Sequence, residues 1–597
     1  MTALARQLTP CFKDQHSLER RPIVTRFVKP LLATALLLCT ATFVWGSDEK
    51  LAPELRQKGI RGNVDVIVRY KTTPTEARYS KIADRGGEVR HRFEFINAGH
   101  YSVPAEMLSE LANDPDVESV SPNQSVHAML DLSADAVNAA AATNYSLDGT
   151  GVGIAIIDSG VTQIADFRKA GASATRVVYS QDFTGENETD DLYGHGTHVT
   201  GIAAGNGRNV EQLNGAFRFF IGMAPNANIV NLRVLDENGN GTTSNVIAAI
   251  QEAIALESKY NIRVINLSLG QAATESYTQD PLCQAVEAAW KAGIFVAVAA
   301  GNEGRDNNSG IDGYGTITSP GNDPYVITVG AMKTMNTPTR TDDLIASYSS
   351  KGPTLFDHIA KPDIVAPGNQ VRSTLAGRTA TLYTEYPSTQ LLVSYYATGY
   401  TNAISGGYYT LSGTSMATPV VSGAAALLFQ QNPSITPDQI KARLMKTAYK
   451  SFPTASVATD PSTGQTYTSY YDLFTVGAGY VDIQAALANN DFSNLPALSP
   501  TAVLNSSTNQ VSLVFAKNVV WGTNVVWGTN VVWGTNVVWG TNVVWGTNVV
   551  WGTSTLQGFN VVWGTGLNGT MNPANVVWGE AAIPSLEGMS VLTLGEN

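Results

Sequence analysis

The chain has 597 residues, too many for one hydrophobic core and enough for three or four folded units. A formal net charge of −12 leaves no basic footprint for nucleic acid. Of 3 cysteines, Cys11 and Cys39 fall in the leader, so Cys283 would stand alone in a processed chain and an intrachain disulfide framework is excluded.

Residues 1–46 read as an export signal. Arg20, Arg21, Arg26 and Lys29 precede the apolar run Leu31 to Val44, which is short and rich in small residues for a membrane span. Val44-Trp45-Gly46 offers a cleavage point before Ser47, with a retained anchor as the alternative. Arg20-Arg21 raises the twin-arginine route, although Pro22 and Ile23 follow it poorly. Residues 47–130 form the next unit. Val64 to Tyr70 alternates as a strand, Pro74 to Asp84 reads as a helix, and Glu88 to Ile96 and Asn97 to Val103 alternate again. A helix from Pro104 to Leu111 and a strand at Asp116 to Val120 complete a β-α-β-β-α-β pattern.

The long central unit, 131–492, is built differently. Gly151 to Ile157 and Ile294 to Ala300 are continuous apolar runs, the pattern of strands buried on both faces of a parallel sheet. Asp158-Ser159-Gly160 ends the first run, at the carboxyl end where open α/β sheets collect their sites; a plain turn is the alternative reading. Gly194-His195-Gly196-Thr197-His198 leads into an apolar helix, and no carboxylate or cysteine stands at zinc-ligand spacing from its histidines. Pro281 to Trp290 reads as an amphipathic helix that buries Cys283 as an inert thiol, and His358 reads as an exposed loop residue. Asn302, between Gly301 and Glu303, reads alone as a turn residue. In Gly413-Thr414-Ser415-Met416-Ala417-Thr418-Pro419, the proline places a helix start just after Ser415. Free N–H groups there would favour negative charge developing at the serine, although the same string also serves as a helix cap. A serine nucleophile needs a histidine base and a carboxylate to hold it.

The tail, 493–597, carries Asn518-Val519-Val520-Trp521-Gly522-Thr523, repeated unchanged through Thr553 and again from Asn560 and Asn575, so that the repeats occupy 518–579. Six is even, so an extended chain would set every tryptophan on one face, and the period also invites a β-solenoid. Uncharged Val-Val-Trp segments are an aggregation hazard, which points to self-association or a surface partner.

Ile157 to Val161, Gly194 to Val199 and Gly413 to Pro419 resemble the three signature blocks of the subtilisin family of serine proteases (peptidase S8), in the family's Asp…His…Ser order. The matching blocks span roughly residues 133 to 490. The resemblance implies a three-layer α/β core with a mostly parallel sheet and a triad of Asp158, His195 and Ser415, with His198 a structural neighbour. It implies that Asn302 donates to the oxyanion beside the Ser415 N–H. Substrate backbone would pair along Val264 to Gly270, with Ser268, Leu269, Gly270 and Gly301 as substrate-binding residues. Small residues there and at Ser319-Pro320-Gly321 would leave room for a large apolar side chain before the cut.

The same resemblance makes residues 47–130 a ferredoxin-like α+β inhibitory pro-domain, cleaved between about His127 and Ser133 in a secreted, self-processing zymogen. Partners are then protein or peptide substrates and the pro-domain itself, with no nucleic acid. The chemistry calls for no cofactor. Structural calcium is common in the family; Asp166 stands one residue out of register with a ligand, and the loop from Gly205 to Gly215 is rich in oxygen. The Tyr/Thr/Ser-rich stretch Ala376 to Tyr409 is longer than a minimal member needs and is placed to shape the cleft rim.

Overall fold

In the N-terminal unit, strand β1 (Asn63–Tyr70) buries Val66, Val68 and Tyr70 while Asp65 and Arg69 face outward, the alternation of a sheet with one covered face. It pairs antiparallel with β3 (Ala98–Pro104) and β4 (Val117–Pro122), and β2 (Glu88–Phe93) closes the order β2-β3-β1-β4. Helices Glu76–Ala83 and Met107–Asn113 supply the cover. Pro104 ends β3 instead of opening the second helix, because its partner Asn63 keeps the backbone extended.

This computed structural model describes residues 50–51, 53–56, 61–93, 97–122, 131–169, 172–305, 313–491, 495–505, 510–514 and 588–596. The expected export signal, the expected cleavage segment up to residue 130 and the repeats at 518–579 lie outside the described residues. The chain divides into two units, Met1–Val126 and His127–Asn597.

The second unit is an α/β fold around a mostly parallel sheet of β5 (Gly153–Asp158), β6 (Val177–Asp182), β7 (Asn228–Arg233), β8 (Ile262–Leu267), β9 (Phe295–Ala299), β10 (Ile327–Lys333), β11 (Leu344–Ile345) and β12 (Ile364–Pro367). The order is β11-β10-β9-β8-β5-β7-β6, with β12 also on β10, and only β11 runs antiparallel. Every residue of β5, β9 and β10 is buried, as continuous apolar runs require when both faces are covered. The helices His195–Ala204 and Thr414–Gln431 pack together on one face, and Thr243–Ala255 and Pro281–Lys291 together on the other. Cys283 lies buried in the last of these, where burial pushes its thiol pKa up. From β5 the chain winds outward to β6 and β7, then crosses back to β8 on the other side. The switch point therefore falls between β5 and β8.

Candidate active site

The carboxyl ends of β5, β8 and β9, three neighbouring strands, carry Asp158, Ser268 and Gly301-Asn302. Asp158 is fully buried, and its Oδ1 accepts from the Ser159 N–H and from His195 Nδ1, both at 2.7 Å. A carboxylate only accepts, so Nδ1 carries the hydrogen and Nε2 presents its lone pair. Burial works against charge on His195, but the Asp158 carboxylate outweighs it and holds the imidazole above its ordinary pKa. Gly196 lets the two segments close: a Cβ there would stand 2.3 Å from the Gly160 carbonyl oxygen.

Asp191, which sequence reasoning missed, caps this junction. It accepts from the Gly194 N–H (2.6 Å), the Thr197 N–H (2.7 Å) and the Ser159 hydroxyl (2.8 Å), satisfying donors at the start of the His195 helix. Its position four residues before a helix start, in Asp191-Leu192-Tyr193-Gly194, was the available signal. His198 turns away from the site and donates Nε2–H to the Val371 carbonyl; burial and the nearby His195 push its pKa down to about 3.

The serine helix begins at Thr414, before Ser415 instead of after it, so Pro419 lies inside the helix. Proline there cannot donate to the carbonyl four residues back, which is that of Ser415. The Ser268 hydroxyl supplies the missing donor at 2.8 Å, and Asn266 Nδ2 holds that hydroxyl at 2.9 Å. The Ser415 hydroxyl in turn donates to the Ser268 carbonyl at 3.1 Å. From Leu411 to Phe429, Ser415 is the one residue not buried. The Asn302 Oδ1 accepts from the Thr414 N–H at 2.9 Å and from the Thr414 hydroxyl at 3.2 Å, which leaves Nδ2 as its open donor. Glu303, also missed, is buried and accepts the Asn302 N–H at 2.7 Å, fixing the loop from below.

The expectation about substrate pairing needs one correction. Strand β8 is paired on both sides, by β5 and β9, so it is no edge; only Ser268 to Gly270 beyond its end are unpaired by sheet neighbours, with Leu269 half-buried and Gly270 exposed. A small recess is lined by residues that include Ala272, Ala273, Glu303, Ile317, Thr318 and Leu355. Gly270 and Gly301 close on Thr318 beside it, their would-be Cβ atoms 2.7 and 2.8 Å from its side chain. His358 is half-buried instead of exposed.

The Ala376–Tyr409 stretch folds onto a small sheet of β13 (Val371–Thr374), β14 (Gln390–Leu392) and β15 (Ile404–Leu411). The N–H groups of Thr381 and Leu382 donate to the carbonyls of Leu192 and Tyr193, just ahead of His195.

Asp166 does not fit calcium. Its two carboxylate oxygens accept from the Asn209 N–H and the Tyr408 hydroxyl, each at 2.6 Å. Burial pushes its pKa up to about 6. The neighbouring carbonyls of Asp166, Ala204 and Ala227 are taken by the buried Arg176 guanidinium at 2.6–2.7 Å. The cation at this oxygen cluster is an arginine. Among the described residues no group of three His, Cys, Asp or Glu side chains is arranged to hold a metal.

The model of the subtilase family, peptidase S8, matches residues 149–479, and the chain belongs to that family. It is 35% identical over 399 residues to serine protease AprX of Bacillus subtilis, covering 64% of this chain and 82% of the relative. It is 30% identical over 428 residues to subtilisin E of Bacillus subtilis (70% and 89%) and 31% identical over 365 residues to an alkaline protease of Shouchella clausii (60% and 76%). This protein is a subtilisin-like serine endopeptidase.

Proposed function

We propose that the chain is exported as an inactive precursor, removes its N-terminal unit by its own cleavage, and hydrolyses proteins with Ser415 as nucleophile, His195 as base and Asp158 as the group that orients the base. The observation that carries this reading is the 2.7 Å bond between Asp158 and His195 Nδ1, on a helix packed against the one that carries the half-buried Ser415. That bond aims the Nε2 lone pair outward, where it can take a hydroxyl proton.

The Ser415 hydroxyl swings from the Ser268 carbonyl to His195 Nε2, gives up its proton and attacks the scissile carbonyl. The imidazolium is balanced by Asp158. The oxyanion is met by the Ser415 N–H at the helix start and by Asn302 Nδ2, whose orientation follows from the Thr414 N–H held by its Oδ1. His195 then protonates the leaving amine, and water, deprotonated by the same nitrogen, releases the acyl group and restores the serine. The pairing of substrate backbone falls to Ser268, Leu269, Gly270 and Gly301. Small residues at Ser268 to Gly270, Ala299 to Gly301 and Ser319 to Gly321 leave room for a large apolar side chain before the cut. The N-terminal unit, with its β-α-β-β-α-β order, is the inhibitory pro-domain, and its tail is the first substrate.

Comparison of wild type with Ser415→Ala, both expressed from Ser47, tests this. Wild type should lose residues up to about 130, read by mass spectrometry, and digest unfolded protein, while the variant stays whole. A variant that still processes itself would refute the assignment of Ser415. Cleavage strictly after acidic or basic residues would refute the apolar preference alone.

A further inference from the structure

Among the buried charge clusters that the mechanism leaves unused is one around Glu596. Glu596 is 1% exposed, and its carboxylate lies 2.5 Å from Arg305 and 3.1 Å from Lys333, with the Ser347 N–H at 2.9 Å and the Ser347 hydroxyl also donating. Arg305 reaches Asp460 as well, at 3.3 Å, so two cations and two carboxylates balance. Without Glu596, Arg305 would lose the nearer of its two carboxylates and Lys333 a carboxylate at 3.1 Å, a loss that low-dielectric surroundings disfavour.

The segment that delivers Glu596 also contacts residues close in the chain to Asn302, Ser415 and His195. Arg305 stands three residues after Asn302. The Ser412 N–H donates to the Leu592 carbonyl at 2.9 Å, three residues before Ser415. Asn369 exchanges two bonds with the Glu596 backbone, at 2.7 and 2.9 Å, and the Gly368 carbonyl beside it accepts the Gly413 N–H at 2.7 Å. The Tyr193 hydroxyl meets Met589 Sδ at 3.4 Å, two residues before His195. Gly595 makes the fit: its φ is +64°, and a Cβ there would stand 2.4 Å from the Ser412 hydroxyl. Val591 and Leu592 are buried against the main core.

We propose that Gly588–Glu596 is a working part of the catalytic unit and that Glu596 is a positioning residue, setting the Asn302 loop through Arg305 and the Ser415 turn through Asn369 and Ser412. This rests on the roles assigned above to Asn302 and Ser415. The repeats at 518–579 then connect two segments that both pack on the catalytic unit, since the hairpin of β18 (Thr501–Asn505) and β19 (Gln510–Val514) is bound to it through the Ala360 N–H and the Pro500 carbonyl. Severing the chain within the repeats would replace an intramolecular dock with a bimolecular one.

Full-length wild type, Glu596→Gln and Glu596→Asp would be titrated with a fluorophosphonate that labels the active serine, then assayed on a chromogenic peptide anilide. Removing an oxyanion donor costs roughly 10²–10³-fold in turnover in a subtilisin, and a displaced donor part of that. The expected result is therefore kcat per titrated site down about tenfold in the Gln variant, KM nearly unchanged, and partial recovery with Asp. A chain ending at residue 587 should be slower still, and the synthetic peptide 588–597 should restore it saturably, while the same peptide with Glu596→Gln should not. Unchanged kcat per titrated site in Glu596→Gln would overturn the proposal, as would a loss confined to the number of titratable sites, which marks a folding role alone. An active Ser415→Ala enzyme would instead refute the reading beneath it.

Discussion

At the level of single residues, the site turns on which atom carries which hydrogen. Asp158 accepts at 2.7 Å from His195 Nδ1, so the tautomer is decided by a group that cannot donate. Asp158→Asn should permit the opposite tautomer and lower kcat by roughly 10⁴, the size of the same change in a trypsin-like triad, with little loss of folded protein. The carboxylate also raises the imidazole pKa against burial. The base works only when neutral, so the acid limb of kcat/KM should lie above about 6.5 and move to lower pH in Asp158→Asn. A pH–rate profile with a limb at or below the ordinary imidazole value would contradict this.

Among the elements, the serine helix is the instructive case. A proline inside it removes the donor to the Ser415 carbonyl, and a side chain at the end of β8 replaces that donor. The hydroxyl of Ser268 therefore supports the peptide of Ser415, the proposed nucleophile. Ser268→Ala leaves that carbonyl without its donor and should cost about 1–3 kcal/mol of stability. It should also lower turnover, because the turn that presents Ser415 loosens. Denaturant midpoints and kcat measured on one preparation check both, and an unchanged midpoint would show that water takes over the carbonyl at no cost.

For the whole molecule, buried carboxyls link stability to pH. The Asp166 pKa is raised to about 6 by burial, against the pull of Tyr408, Asn209 and Arg176. A raised acid favours the folded state in its protonated form, so this contribution is complete below the ordinary carboxylate value of about 4 and is lost as pH rises through 6. Asp166→Asn should therefore flatten the decline in stability across that window, a difference on the order of 2–3 kcal/mol at its ends. Thermal melts from pH 4 to 7 would show it, and parallel curves for the two proteins would exclude Asp166 as the source.

Local pattern was enough to read the architecture and the chemistry-bearing blocks. Continuous apolar runs at 151–157 and 294–300 announce buried parallel strands because both faces of such strands are covered. Asp158, His195, Asn302 and Ser415 each sit in a short string of small residues at a strand end or helix start, which alone allows a turn or a cap; their roles were read from the resemblance of those strings to the subtilisin blocks. Tertiary structure alone decided what supports them. The Ser268 hydroxyl on the Ser415 carbonyl, Arg176 filling an oxygen cluster, Asp191 beneath the His195 helix and Glu596 between Arg305 and Lys333 join segments far apart in the chain. A buried charge or an orphaned carbonyl must be matched by whatever atom the fold brings near, and sequence spacing carries no record of that distance.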